Sequence, residues 1–152
     1  MFTLIRPVAG IALAILATIA AAAYWPLYRP DVPLGGFSFW MTVRGFVVGW
    51  LFLGGRVDRR LWMTVFMAWQ AVVLTALLAV TVFGIREVFI LGYRRRFREP
   101  MEAFNGFFDI AGGWLRLGLE RDFLILLGLG GLVVGIVVHL MHRLFERRRT
   151  TR

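Results

Sequence analysis

At 152 residues, the chain is 59% hydrophobic with a mean hydropathy of +0.73, outside the range of soluble globular proteins. Its net charge of +9 rests on arginine alone, because it contains no lysine. Those arginines flank apolar runs, where they meet anionic head groups of a lipid bilayer, and no motif for nucleic acid accompanies them. The absence of cysteine excludes disulfides, thiolate metal sites and thiol redox chemistry within the chain.

A spanning helix needs about 20 mostly apolar residues. Four stretches supply them or nearly so, near residues 8–25, 37–53, 61–83 and 123–141. The remainder is too short for a soluble domain with its own core. The expectation is an all-α membrane protein, one domain over residues 1–152, with four transmembrane helices plus one amphipathic interfacial helix near 100–119.

The N-terminal run from Val8 to Tyr24 follows Arg6 and Pro7 and ends on Trp25 and Pro26, an aromatic anchor at a membrane exit. It exceeds the usual length of a signal-peptide core and reads as an uncleaved span; a cleavable signal peptide is the rival. Gly10, Ala14, Thr18 and Ala22 recur every four positions, a face that lets a neighbouring helix come close. Leu27 to Gly36 carries Pro30, Pro33 and Gly35-Gly36 and is expected to be a loop.

The second run, from Phe37, contains the pair Gly45 and Gly49 at GxxxG spacing, a helix-packing signal, and one arginine, Arg44, well inside apolar sequence. The short basic link Gly54–Arg60 makes it a hairpin with the third run, and the other segments are expected to pack around that hairpin. Gln70 lies about as far from the link as Arg44 does. The two are therefore the candidate intramembrane polar contact, with an anion-contacting role for Arg44 as the sharper alternative. No breaker stops the third helix before Tyr93, which predicts a stem protruding beyond the hydrocarbon, followed by Arg94, Arg95, Arg96 and Arg98 and a boundary at Pro100.

From Pro100 to Leu119, Phe104, Phe107, Phe108, Ala111, Trp114 and Leu115 fall at i, i+3, i+4 spacing, with Glu102, Asn105, Asp109 and Arg116 on other faces. An interfacial helix and a helix covering one end of the bundle are both compatible with that pattern. Gly112-Gly113 weakens or bends it. The last span carries Gly128, Gly131 and Gly135, the last two forming a second packing pair. His139, His142 and Glu146 share one face of its end. Imidazole and carboxylate suit a metal, but nothing else completes a site, so they read as interfacial anchors. No nucleophile–base pair, paired carboxylates or phosphate cradle is present, and Ser38 is the only serine. The expectation is a non-enzyme with no catalytic residues, cofactor or metal. Nine arginines on one side of the spans against eight on the other leave orientation open.

Three stretches carry a resemblance: GFSFWMTVRGFVVGWLFLGGR, REVFILGYRRRFREPMEAF and DFLILLGLGGLVVGIVVHLMHRLF. In order and hydropathy the chain resembles the TrgA family, small membrane proteins linked with tellurite resistance in alphaproteobacteria. Arg44 stands where that pattern has a small polar residue, and Arg98-Glu99 precede Pro100 where it has Asp-Gly, so no functional residue carries over. The resemblance implies a multi-pass protein of the bacterial inner membrane acting in tellurite resistance through a partner, another membrane protein or a second copy of itself. The alternatives are an accessory subunit of a larger membrane complex and, below that, a small transporter.

Overall fold

The computed structural model describes residues 4–28, 35–57, 59–94 and 98–150. It consists of α1 (Ile5–Tyr28), α2 (Gly35–Val48) continued by a π turn (Gly49–Leu53), α3 (Leu61–Tyr93), α4 (Pro100–Gly118) and α5 (Arg121–Thr150). No strand occurs among the described residues. Ile5–Leu27, Gly35–Leu53, Leu61–Tyr93 and Arg121–Arg148 are long and apolar enough to cross a membrane. In hydrocarbon a helix satisfies its backbone polar groups internally, which is why apolar runs of this length take that form. The chain is an all-α, multi-pass membrane protein.

Boundaries differ modestly from expectation. α1 continues through Pro26 to Tyr28, because a proline in the last turn forfeits only one backbone donor near an end that is frayed anyway. Gly35 and Gly36 belong to the first turn of α2, with Gly35 at φ +44°. The rest of the expected loop, including Pro30 and Pro33, lies outside the described residues, as do Arg95 and Arg96. α3, at 33 residues, reaches about 50 Å and overshoots ~30 Å of hydrocarbon as the predicted stem. α4 is continuous through Gly112 and Gly113.

The four long helices run alternately up and down. The expected organising element was the α2–α3 hairpin; the structure gives that place to α1. α2 lies along α1, α5 touches both α1 and α3, and α2 with its π turn touches α3 less extensively than it does α1. The reason is the distribution of small residues. A Cβ on Gly45 would sit 2.7 Å from Ala17 Cβ and 2.8 Å from the Leu13 carbonyl, and one on Gly49 would sit 2.5 Å from the Ala9 carbonyl. One on Gly54 would come within 2.7 Å of Arg6 Cα. All three glycines therefore press backbone against backbone on α1.

Their spacing explains the π turn. Gly45 to Gly49 is one α-helical repeat, but Gly54 comes five residues later, and the Gly54 N–H donates to the Gly49 carbonyl at 2.8 Å. Widening the last turn by one residue keeps the third glycine on the same face. The expected α1 stripe is used here: Gly10 faces Phe46, and Ala14 faces Gly45. The Thr18 and Thr42 hydroxyls lie 2.6 Å apart, so one donates to the other while its partner donates to its own helix; the carbonyls within reach are Ala14 at 2.9 Å from Thr18 and Ser38 at 2.8 Å from Thr42. Ala22 is exposed and takes no part.

On the opposite side, Gly131 accommodates Trp69, Gly130 fits over Leu16, and a Cβ on Gly135 would sit 2.7 Å from Val65 Cα. Both expected packing pairs are thus spent within one chain. Toward the end holding the termini the bundle is filled, with Leu13, Leu53, Val138 and Thr64 wholly buried.

Two outcomes check this arrangement. Gly49→Val drives a side chain into the Ala9 carbonyl and should lower stability in mild detergent by about 1–3 kcal/mol. Gly128→Ala meets nothing within 4 Å and should be neutral or slightly stabilising, by up to ~1 kcal/mol of helix propensity. Thermal unfolding of both variants measures the contrast. In the cysteine-free background, the double variant Thr18→Cys, Thr42→Cys should cross-link within the monomer on mild oxidation. A mobility shift on non-reducing gels reads this, and its absence sinks the α1–α2 register.

Candidate functional site

The bundle is close-packed at one end and hollow at the other. Toward α4, the facing surfaces of α1 and α3 carry Ala20, Ala21, Ala76 and Ala79, which are short for the space between them. The result is a chamber of about 910 Å³, at the upper end of what encloses a small molecule. α4 covers it, with Trp114 and Leu115 in the lining. Two contacts hold α4 in place: Phe107 packs on Gly84, where a Cβ would be 2.7 Å from its ring, and the Tyr24 hydroxyl donates to the Trp114 carbonyl at 3.1 Å. α4 thus covers one end of the bundle while Met101, Phe104 and Phe108 on it are exposed.

The roof is aromatic. Trp25 and Phe37 lie 4.9 Å apart between ring centroids, Phe37 and Phe83 also 4.9 Å, and Phe83 and Trp114 6.4 Å edge to face. The floor near α5 is closed by Trp69, whose indole N–H donates to the Gly128 carbonyl at 3.0 Å. That bond gives Gly128 a role that its open side-chain space does not suggest. Trp40, Val73, Leu77, Val82 and Leu124 line the chamber and are also exposed. The chamber therefore opens sideways onto the apolar surface that faces lipid.

Arg44 is the cation within this apolar space. Its guanidinium carbon stands 4.2 Å from the centroid of the Phe83 ring, and its Nη1 is buried with no hydrogen-bond partner. Arg86 and Glu87 add one charge of each sign to the lining, one turn further along α3. A guanidinium on an aromatic face is stabilised by about 0.5–2 kcal/mol, yet it keeps its in-plane donors, five N–H bonds in a planar fork suited to carboxylate or phosphate.

The expected partner is corrected. Gln70 is exposed on the outside of α3, and Arg44 turns instead to Phe83, about 20 Å further along that helix. Equal residue counts from the hairpin link did not place the two side chains together, for two reasons. The arginine points back toward the start of α2, away from the link, as helical side chains do. And α2 is held against α1, so the face it turns to α3 is set by that packing rather than by the link.

His139 is corrected as well. It is not an interfacial anchor: it is 3% exposed, next to the fully buried Val138, and its Nδ1 has no partner. His142 Nε2 lies 3.6 Å from Glu146 Oε1, which Arg59 Nε also approaches at 3.7 Å, tying the end of α5 to the link before α3. Among the described residues, no group of three or more metal-ligating side chains comes together.

The chamber itself was missed from sequence. Its signal was available: four alanines on α1 and α3 at the same end as four tryptophans, Trp25, Trp40, Trp69 and Trp114. Small residues facing large ones across a gap leave either interdigitation or a void, and only the structure shows which.

Gln70→Ala should change stability by no more than ~0.5 kcal/mol, as for an exposed site away from special features. Phe83→Leu removes both the ring under Arg44 and a roof contact and should lower stability by about 1–3 kcal/mol. Thermal unfolding in one detergent compares them, and a larger loss for Gln70→Ala would restore the Arg44–Gln70 contact. Compared with protein-family models, curated proteins and solved structures, the chain matches none.

Proposed function

We propose that this is a non-enzymatic protein of a bacterial inner membrane that works by binding, in tellurite resistance of the TrgA type and through a partner. The observation that carries the binding part is the chamber. It is mostly apolar, roofed by aromatic rings, open toward lipid, and lined by Arg44, whose buried Nη1 has no partner. The tellurite part is supported by the three sequence stretches that resemble the family, and two of them frame this chamber: the first contains Phe37 and Arg44, the second begins at Arg86.

A second reading, accessory subunit of a larger membrane assembly, is favoured by one feature. The end of the α3 stem exposes Phe89 and Tyr93, and the start of α4 exposes Met101 and Phe104, more apolar surface than a solitary stem requires. The Gly-rich faces no longer favour it, because α1, α3 and α5 use them internally.

Deletion should sensitise cells to tellurite, with tolerance restored by the wild-type chain. Unchanged tolerance after clean deletion, measured as the minimal inhibitory concentration, removes the tellurite reading. Co-purification from mild detergent separates the other two: stoichiometric retention in a large complex whose assembly fails on deletion favours the subunit reading.

A further inference from the structure

We infer that the chamber is the seat of an anionic phospholipid, with one acyl chain lying along α3 between Phe83 and Trp69 and the phosphate on Arg44. The inference deepens the binding part of the proposed function and rests on it, but not on tellurite, since bound lipid is read on purified protein.

The place selects the source. The chamber lies within the spanning helices, and its exposed lining residues Trp40, Val73 and Leu77 give it a lateral opening through which a lipid can enter from the bilayer. Protein interiors leave few voids larger than a water molecule, and a space of about 910 Å³ beside hydrocarbon fills from it. The shape selects the chain. From Phe83 to Trp69 the lining follows about 20 Å of α3, an apolar path long enough for one extended acyl chain. The second chain of a phospholipid remains in the lateral opening, in contact with the bilayer.

The charge selects the head group. Arg44 offers the buried, unpartnered Nη1 at the top of that path. A neutral isoprenoid would fill the apolar space and leave this donor without an acceptor, which is unfavourable in a water-poor site. A phosphate brings several acceptor oxygens to a planar fork of donors. Glu87, also in the lining, repels an anion, but Arg86 beside it carries the opposite charge, and with Arg44 the lining is net positive. A zwitterionic lipid brings its own cation into that positive field and is disfavoured. Phe83 holds the guanidinium from one face and leaves its edge for the phosphate.

The test loads purified protein into vesicles of equal phosphatidylglycerol and phosphatidylethanolamine, extracts it gently, and identifies retained lipid by native mass spectrometry. Wild type should retain one phospholipid, preferring phosphatidylglycerol about tenfold. Arg44→Gln should bring that preference near unity, while Arg116→Leu, an exposed arginine outside the chamber, should leave it unchanged. Ala76→Phe keeps Arg44 but fills the path, and should lower retention of either lipid several-fold. Wild type that retains no lipid, both lipids equally, a free fatty acid or a neutral isoprenoid overturns the inference. So does an undiminished preference in Arg44→Gln, or undiminished retention in Ala76→Phe.

Discussion

Backbone-to-backbone contact between α1 and α2 is the constraint on which the rest of the structure depends. Lipid provides little hydrophobic drive for helices to associate, because the tails are as apolar as the side chains. Close approach must therefore come from residues small enough to let main chains touch. Gly45, Gly49 and Gly54 supply this on α2, and Ala9, Gly10, Ala14 and Ala17 answer on α1. The π turn follows from it: with glycines four and then five residues apart, a regular helix would rotate the third one away from α1. Local backbone geometry here yields to a packing demand, the reverse of the usual order in which the helix sets its own face.

Because α2 is committed to α1, α3 cannot also lie close along α2. It finds its partner in α5 through Val65 and Gly135 and through Trp69 and Gly131. α1 and α3 stand diagonally, and the space between them is filled toward the termini by Leu13, Leu16, Ala68, Ala71 and Val138. Toward α4 the same diagonal is lined by alanines, and the space stays open beneath an aromatic roof. Small residues thus do opposite things at the two ends. Against a backbone they bring helices into contact; against a gap bridged by aromatic side chains they leave a chamber.

This division separates what the sequence made legible from what it did not. Span count and extents follow from hydropathy and length, and the α3 stem from the lack of a breaker before Tyr93. Gly45, Gly49, Gly131 and Gly135 were legible as packing residues, but not the helices they meet, because a small face carries no address. The Arg44–Gln70 pairing failed for a related reason. Counting residues from a link gives depth along each helix, but not tilt, rotation or the direction of a long side chain. His139 was misread because its place next to a basic tail suggested an exit from the membrane, whereas it falls on the face of α5 that turns toward α3. The π turn was legible in principle from the uneven glycine spacing, provided one already knew that all three glycines share a partner.

Arg44 is where the energetics remain unbalanced within the chain. On membrane-insertion scales, a charge at the centre of a span costs roughly 2.5–3.5 kcal/mol. A desolvated cation–π contact with Phe83 returns about 2 kcal/mol or somewhat more, and the buried Nη1 adds its own desolvation on the other side. The side chain lies on the Phe83 ring with Nη1 turned into the apolar lining rather than out to water. A purely structural arginine would be expected to end on an acceptor from the protein, and the exposed Gln70 does not provide one. An acceptor brought by a ligand closes this balance, and the chamber beneath the guanidinium is the space through which such an acceptor can arrive. The apolar lining around the buried Nη1 lowers the local dielectric there, so one charged hydrogen bond discriminates between otherwise similar apolar molecules.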